Sequence, residues 1–305
     1  MSIKGPRWRR RINLIKRKLY IPLMLTPVLV VVIGLFGGGI VNAVIEGFGY
    51  VPALQMYDFT LEHYVSALTR DDFWPSLLFG LKIAIVPNLI SLAISLFIAM
   101  QLIRRFRGRG ALKFIFRMPL QIPGLVTTFM MLVLMTDGGL LARAGYHLGL
   151  VEVPSDFPHL LYDVNGIGII VAFAWGQVAF VSLVLYSFLL GLDTNYEEAA
   201  RTLGANDWNV FRYVWLPLMM PAILMVTLLN FAFSFGGYAT PRILGPSYPT
   251  TLPVLAYHIF TNPDIRQRPR AMAMSVVISL ICGLILLAYT YVMRRMQYTQ
   301  VKSRR

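Results

Sequence analysis

The chain has 305 residues, 57% of them hydrophobic and only 14% charged, with a formal net charge of +14. Several apolar runs are long enough to cross about 30 Å of hydrocarbon, which excludes an ordinary soluble domain. A basic surplus on a soluble protein would point to nucleic acid. Here the lysines and arginines stand beside the apolar runs, so membrane lipid is the expected partner and nucleic acid is not.

In chain order, a basic segment, 1–18, precedes a first predicted span at 19–44. That apolar run is too long for a signal-peptide core and no A-x-A site follows it, so it reads as a retained helix. The first span and an outer loop fill 19–75, and a five-helix core fills 76–293, with spans at 76–103, 122–135, 167–190, 218–235 and 272–293. A second basic segment, 294–305, follows. The third span is the shortest, because Pro119 and Pro123 cut its start and Asp137 closes it, although apolar residues from Phe114 onward can extend it. The fold class expected is an all-α integral membrane protein with six transmembrane helices.

Charge sets the expected orientation. With six spans, the segments 1–18, 104–117, 191–217 and 294–305 share one side, and they hold 21 of the 28 lysines and arginines but only four of the 14 acids. The positive-inside rule puts that side, and both termini, in the cytoplasm. Arg266, Arg268 and Arg270 on the opposite side oppose this without reversing it.

Chemistry-bearing residues are sparse. There is no GxxxxGK[ST] phosphate loop, and His63, His147, His159 and His258 are scattered without metal-ligand spacing. Cys282, the single cysteine, lies inside the last apolar run and reads as a small core residue. The chain is therefore expected to have no catalytic site, no metal site and no cofactor of its own. No Asp or Glu lies well inside a span, which removes the usual relay of a proton-coupled carrier, and Lys82 near a span end can snorkel. What remains inside is neutral and polar: Asn88 beside Pro87, Gln177, Asn230 and Ser234. In hydrocarbon such groups must pair or face water, so each either joins helices or lines a path, and as a set they are candidates for a substrate path.

One polar interruption is dense with signals. In 194–217, Thr194 and Glu197 form a capping box, Glu197 and Glu198 fall in a first helical turn, and Ala199, Ala200 and Leu203 give a small apolar face. Gly204 fits the left-handed position that ends a helix. Asn206 or Asp207 can then cap a second helix, with Trp208, Phe211 and Trp215 on one stripe until Leu216 and Pro217 lead into the next span. Such a helix–turn–helix can lie on the lipid interface, pack under its own bundle, or be presented to a groove on a soluble partner. The interface option is disfavoured because the loop 191–217 has only Arg201 and Arg212 against four acids.

The residues here carry a resemblance. Glu198-Ala199-Ala200, three residues, Gly204, nine residues and Val214-Trp215-Leu216-Pro217 is similar to the EAA motif of permease subunits of bacterial binding-protein-dependent ABC importers, with Val214 in place of Ile. The resemblance covers about the last two-thirds of the chain, from the second span onward. It implies the type I importer permease fold, in a multi-pass protein of the bacterial inner membrane. It also implies that 194–217 is a coupling loop seated in a separate ATPase dimer, which binds the ATP and Mg. By that carry-over Glu198 is the polar contact, with Glu197 beside it, Ala199 and Ala200 allow close docking, and Gly204 makes the turn. Trp208, Phe211 and Trp215 would anchor the second helix to the body, and Pro217 closes the motif. A second permease subunit, the same or related, would complete the path, and outer loops 46–75, 137–165 and 236–270 would meet a periplasmic or lipid-anchored binding protein.

Substrate is less specified. The stretch 231–257 resembles permeases for polyamines, ferric iron, thiamine or phosphonates more than those for sugars. A neutral path and the acids between Asp58 and Asp72 favour a polyamine, of the spermidine/putrescine type, while Arg242 and Arg266 to Arg270 favour an anion. An ion-coupled carrier or channel is the alternative class, and a membrane enzyme comes last for want of a nucleophile.

Overall fold

The structure, a computed structural model, describes residues 24–103, 107–192 and 195–302. The basic segment 1–18, Thr194 with its capping box and the last three residues of the chain lie outside them.

Among the described residues, six helical stretches are long and apolar enough to cross a membrane. The first, α1 (Met24–Gly47), contains a wide π turn at Val32–Gly37. A short helix, α2 (Glu62–Leu68), leads to α3 (Phe73–Ile103), which passes through Pro87 without ending. Next come α4 (Arg109–Arg117), α5 (Gly124–Met135), α6 (Leu140–His147) and α7 (Ile167–Leu190). The interruption is α8 (Asn195–Thr202), followed by one continuous helix, α9 (Asp207–Phe235). Beyond it lie α10 (Ala239–Leu244), α11 (Leu252–Phe260) and α12 (Arg268–Lys302).

The third crossing departs from expectation. The 12 residues of α5 are about 18 Å of helix, too short for the hydrocarbon. The chain breaks after Met135, where Thr136 is extended, and resumes as α6, so the apolar stretch Gly124–His147 crosses as two pieces. The residues from Phe114 do become helical, but Ile122 and Pro123 are extended and separate them from α5.

Each end of the bundle has its own core. At the hairpin end, Ile98 and Leu102 of α3, Val181, Leu185 and Leu189 of α7, and Val210, Trp215 and Met219 of α9 are buried together. At the opposite end, Phe73 and Leu77 pack with Phe231 and Phe235, with Leu252 and Leu255 of α11, and with Met274 of α12. A third cluster joins Phe79 and Ile83 to Met131, Met135, Ile169 and Phe173. Small polar residues at the contacts let α3 and α7 approach closely, with Ser91 and Ser95 fully buried between them.

α1 stands apart. Most of its length is exposed on all sides, and it is tied down only at its last turns. There Arg268 donates to both carboxylate oxygens of Glu46 (3.0 and 3.3 Å), Asn42 donates to the same carboxylate (2.7 Å), and the Tyr64 hydroxyl donates to the Val44 carbonyl (3.4 Å). Gly47 is required there by close approach, since a Cβ would lie 2.6 Å from the Tyr64 hydroxyl and 3.2 Å from the Ala273 nitrogen.

Candidate functional site: a turned hairpin and a neutral cavity

α8 starts with Glu197 and Glu198 in its first turn, where free backbone N–H groups favour anions, and ends on Gly204. Gly204 has φ +83°. Its N–H donates to the Arg201 carbonyl (2.9 Å) and the Ala205 N–H to the Ala200 carbonyl (3.0 Å), the paired bonds of a Schellman turn. A Cβ at Gly204 would meet nothing within 4 Å, so the backbone conformation, not space, selects glycine within the chain. Asn206 caps α9 by accepting from the Asn209 N–H (2.8 Å).

A salt-bridge clamp holds the two helices at their angle. Arg201 reaches Glu197 on its own helix and Asp207 at the start of α9, both at 2.8 Å. Asp207 and Glu197 together push the guanidinium further into its charged range.

The faces of the hairpin divide differently from the expected stripes. Ala200 turns inward with Ala205 and packs on the buried core, while Glu198, Ala199 and Leu203 face out, Leu203 with 88% of its surface free. On the second helix, Trp215 is buried and Phe211 partly so, but Trp208 is 61% exposed and is not an anchor; Val210 takes that place. The cause is a π turn at Phe211–Trp215. One extra residue in that turn rotates the helix on its N-terminal side by about 100° relative to the helix on its C-terminal side, so i and i+7 no longer share a face. The same wide turn precedes Pro217, which has no N–H to donate, and the helix continues without a break into the membrane. Trp208 still touches Phe211, with ring centroids 5.6 Å apart.

All four polar candidates of the spans are buried. Gln177 sits at the centre. It accepts from the Ser91 hydroxyl (3.2 Å) and donates to the Ser234 hydroxyl (2.8 Å), linking α3, α7 and α9. Asn88 donates to the Thr227 carbonyl (2.8 Å), and the Ser91 hydroxyl also reaches the Asn88 carbonyl (2.9 Å). Asn88 and Ser234 thus act as helix joints. Gln177 and Asn230 are different, because they also line a cavity of about 910 Å³ between α5, α7 and α9. The Asn230 Nδ2 amide has no hydrogen-bond partner there among the described residues.

The cavity wall is mostly apolar and aromatic, with Phe173, Phe180, Phe233 and Tyr238, and none of its lining residues among those described is charged. Thr128 on α5 and Thr240 on α10 share a hydrogen bond (2.8 Å) at its edge. Sequence reading missed Ser91, Thr128 and Thr240. Ser91 was reachable, since it lies three residues after Asn88 on one helix face. Thr128 and Thr240 were hidden in apolar or loop context.

Comparison with known proteins bears on this arrangement. The family described as binding-protein-dependent transport system inner membrane component matches residues 91–298. The molybdenum transport system permease protein ModB of Escherichia coli (strain K12) is 31% identical over 209 residues, covering 64% of this chain and 83% of that protein. The putrescine transport system permease protein PotI of the same strain is 29% identical over 239 residues, covering 77% and 78%. Among solved structures, a bacterial ABC transporter involved in import of the acidic polysaccharide alginate superimposes with a TM-score of 0.78 at 16% identity, covering 94% of this chain and 99% of that one. The same TM-score is found for a bacterial alginate ABC transporter in complex with an alginate pentasaccharide-bound periplasmic protein, over 93% and 97%. At that identity the likeness is one of fold, the type I importer permease fold. With the family match covering most of the chain, and six apolar helices to cross the bilayer, this chain is a multi-pass inner membrane permease subunit that belongs to the family of inner membrane components of binding-protein-dependent ABC importers.

Proposed function

We propose that this permease forms half of a translocation path around the 910 Å³ cavity and is driven by a separate ATPase dimer docked on the α8–α9 hairpin. A second permease subunit would supply the other half, and a periplasmic or lipid-anchored binding protein would deliver the solute to the loops opposite the hairpin. ATP and Mg would be held by the ATPase, and both termini of this chain would lie in the cytoplasm. The observation that carries the reading is continuity: α9 begins at Asp207 in the hairpin and runs unbroken to Phe235, past Asn230 in the cavity wall. That is about 35 Å of helix from hairpin to cavity, stiff enough to pass a displacement from one to the other. Glu198, Ala199 and Leu203 are the outward groups that would meet the ATPase, with Glu197 held back by Arg201.

The test is transport by the assembled complex in proteoliposomes. Glu198→Arg and Gly204→Asp should each abolish import while the permease remains inserted, and import at the normal rate by either would remove the coupling assignment. Uptake by the purified chain alone, driven by an ion gradient, would establish the carrier alternative instead.

For the solute, the reading is a small polar cation of the polyamine type. The support is the wall itself: four aromatic faces suit an ammonium, and no lysine or arginine among the described residues of the wall repels it. A relative that transports putrescine agrees. An oxyanion is the second reading, favoured by the relatives named for molybdenum transport. The outer arginines lend it less than their number suggests, since Arg268 is paired with Glu46 and Arg270 donates to Ser66. ATPase stimulation by the cognate binding protein loaded with putrescine, spermidine or molybdate separates the two.

A further inference from the structure

α4, between α3 and α5, has a chemistry that coupling and translocation do not use. α4 lies against the hairpin-end core through Leu112 and Phe116, and it leaves Phe114 and Ile115 exposed, with Met118 exposed just beyond it. Lys113 is half-buried, its Nζ 4.7 Å from the centre of the Tyr186 ring on α7. Arg117, one turn further on, is exposed, and Arg107 in the preceding turn is exposed as well.

Among the described residues, no carboxylate pairs with Lys113 or Arg117. Between Ile103 and Asp137 the sequence contains no Asp or Glu, and neither does α7, against which the helix packs. Lys113 and Arg117 border a crevice with Leu102, Phe116, Tyr186 and Ser182. The Ser182 hydroxyl is buried there without a hydrogen-bond partner among the described residues, although a helical serine can ordinarily bond back to the preceding turn. The crevice itself is about 10 Å³, room for one water, so any anion must sit at its mouth between the two cations.

We infer that α4 is a binding site for an anionic phospholipid, its phosphate held by Lys113 and Arg117 at the crevice mouth and its acyl chains lying along Phe114 and Ile115. The combination selects the occupant. A free phosphate would match the cations but leave the apolar flank bare, whereas a zwitterionic lipid would match the flank but bring its own ammonium to Lys113. An amphipathic helix with a basic side and exposed aromatic residues is the geometry of interfacial lipid binding, and basic crevices between membrane helices on the cytoplasmic side suit anionic headgroups. The inference rests on the cytoplasmic assignment of the hairpin end, and its test does not depend on transport.

The assembled transporter, reconstituted in nanodiscs of mixed phosphatidylcholine and phosphatidylglycerol, is released into native mass spectrometry and its retained lipids are identified. Wild type should retain phosphatidylglycerol in excess over the bulk ratio. Lys113→Gln with Arg117→Gln should lose that preference, by about fivefold per cation removed, whereas Lys113→Arg should keep it. Arg212→Gln, which removes a cation elsewhere on the same side, should leave it unchanged. Retention at the bulk ratio in wild type, or equal loss in Arg212→Gln, overturns the site. So does cross-linking of Phe114→Cys to a second protein chain, which would mean that protein and not lipid covers this face. If preference and its loss appear as expected while Glu198→Arg still imports, the lipid site stands and the coupling reading falls.

Discussion

Single residues in the hairpin divide between folding and docking, and substitutions should separate the two roles. Trp215 is buried to 2% of its surface in the hairpin-end core, so Trp215→Ala should cost about 3 kcal/mol and lower the unfolding midpoint of the detergent-solubilised protein. Trp208→Ala, at an exposed position, should leave that midpoint within about 0.5 kcal/mol of wild type and show its effect only in ATPase co-purification. Gly204 needs φ +83°, so Gly204→Ala should loosen the turn by about 1 kcal/mol, seen as faster amide exchange over residues 200–206. Gly204→Asn should be milder, because asparagine tolerates the left-handed region. On the opposite face of the molecule, His63 is held below its ordinary 6.5, chiefly by burial and further by Arg270, against an opposing pull from Glu62. A depressed histidine favours the neutral form in the fold, so stability is complete above 6.5 and declines as pH falls through that value. His63→Gln should flatten the acid limb of a stability profile between about pH 7.5 and 5.5. The Arg70 partner lowers Asp72 in turn, a contribution that survives to more acid pH and is lost only below the usual carboxylate range.

Among the elements, α3, α7 and α9 are linked by one amide, in addition to their shared apolar core. Gln177→Leu removes both the Ser91 and the Ser234 bonds and should destabilise by about 1 kcal/mol, since hydrogen bonds between membrane helices average about 0.6 kcal/mol each. Ser234→Ala should cost about half as much in the same unfolding assay. The spans, the helix–turn–helix and its glycine were legible in the sequence because length, hydropathy and capping chemistry are local properties. The exposed Trp208 was not, because the π turn that rotates it depends on the packing of Trp215 and on Pro217, and a seven-residue spacing read on an ideal helix cannot register an extra residue. The break after Met135 was half legible: Asp137 marked an end, but nothing local said that α6 would resume the crossing. The polar set was legible as a set, while its division into joints (Asn88, Ser234) and cavity wall (Gln177, Asn230) required knowing which helices face each other.

At the scale of the whole molecule, α1 is joined to the rest through Glu46 and Arg268, and the two partners of that ion pair are not equivalent. Glu46 is 8% exposed, so Arg268→Ala leaves a nearly buried carboxylate with only Asn42 and should release α1 at a cost of about 1–3 kcal/mol. Glu46→Gln should cost less, because Arg268 can turn to water and a neutral amide needs no counter-charge. Distances between spin labels on α1 and α12 would register either release. The cavity has a consequence of a different kind, one of residence time. A wall without a charged group holds no deep energy minimum for an ion, and each 1.4 kcal/mol of extra attraction slows escape about tenfold. Asn230→Asp would therefore turn a passage into a trap: a cation would enter more readily and leave far more slowly, and turnover would fall because of the very affinity that had been added.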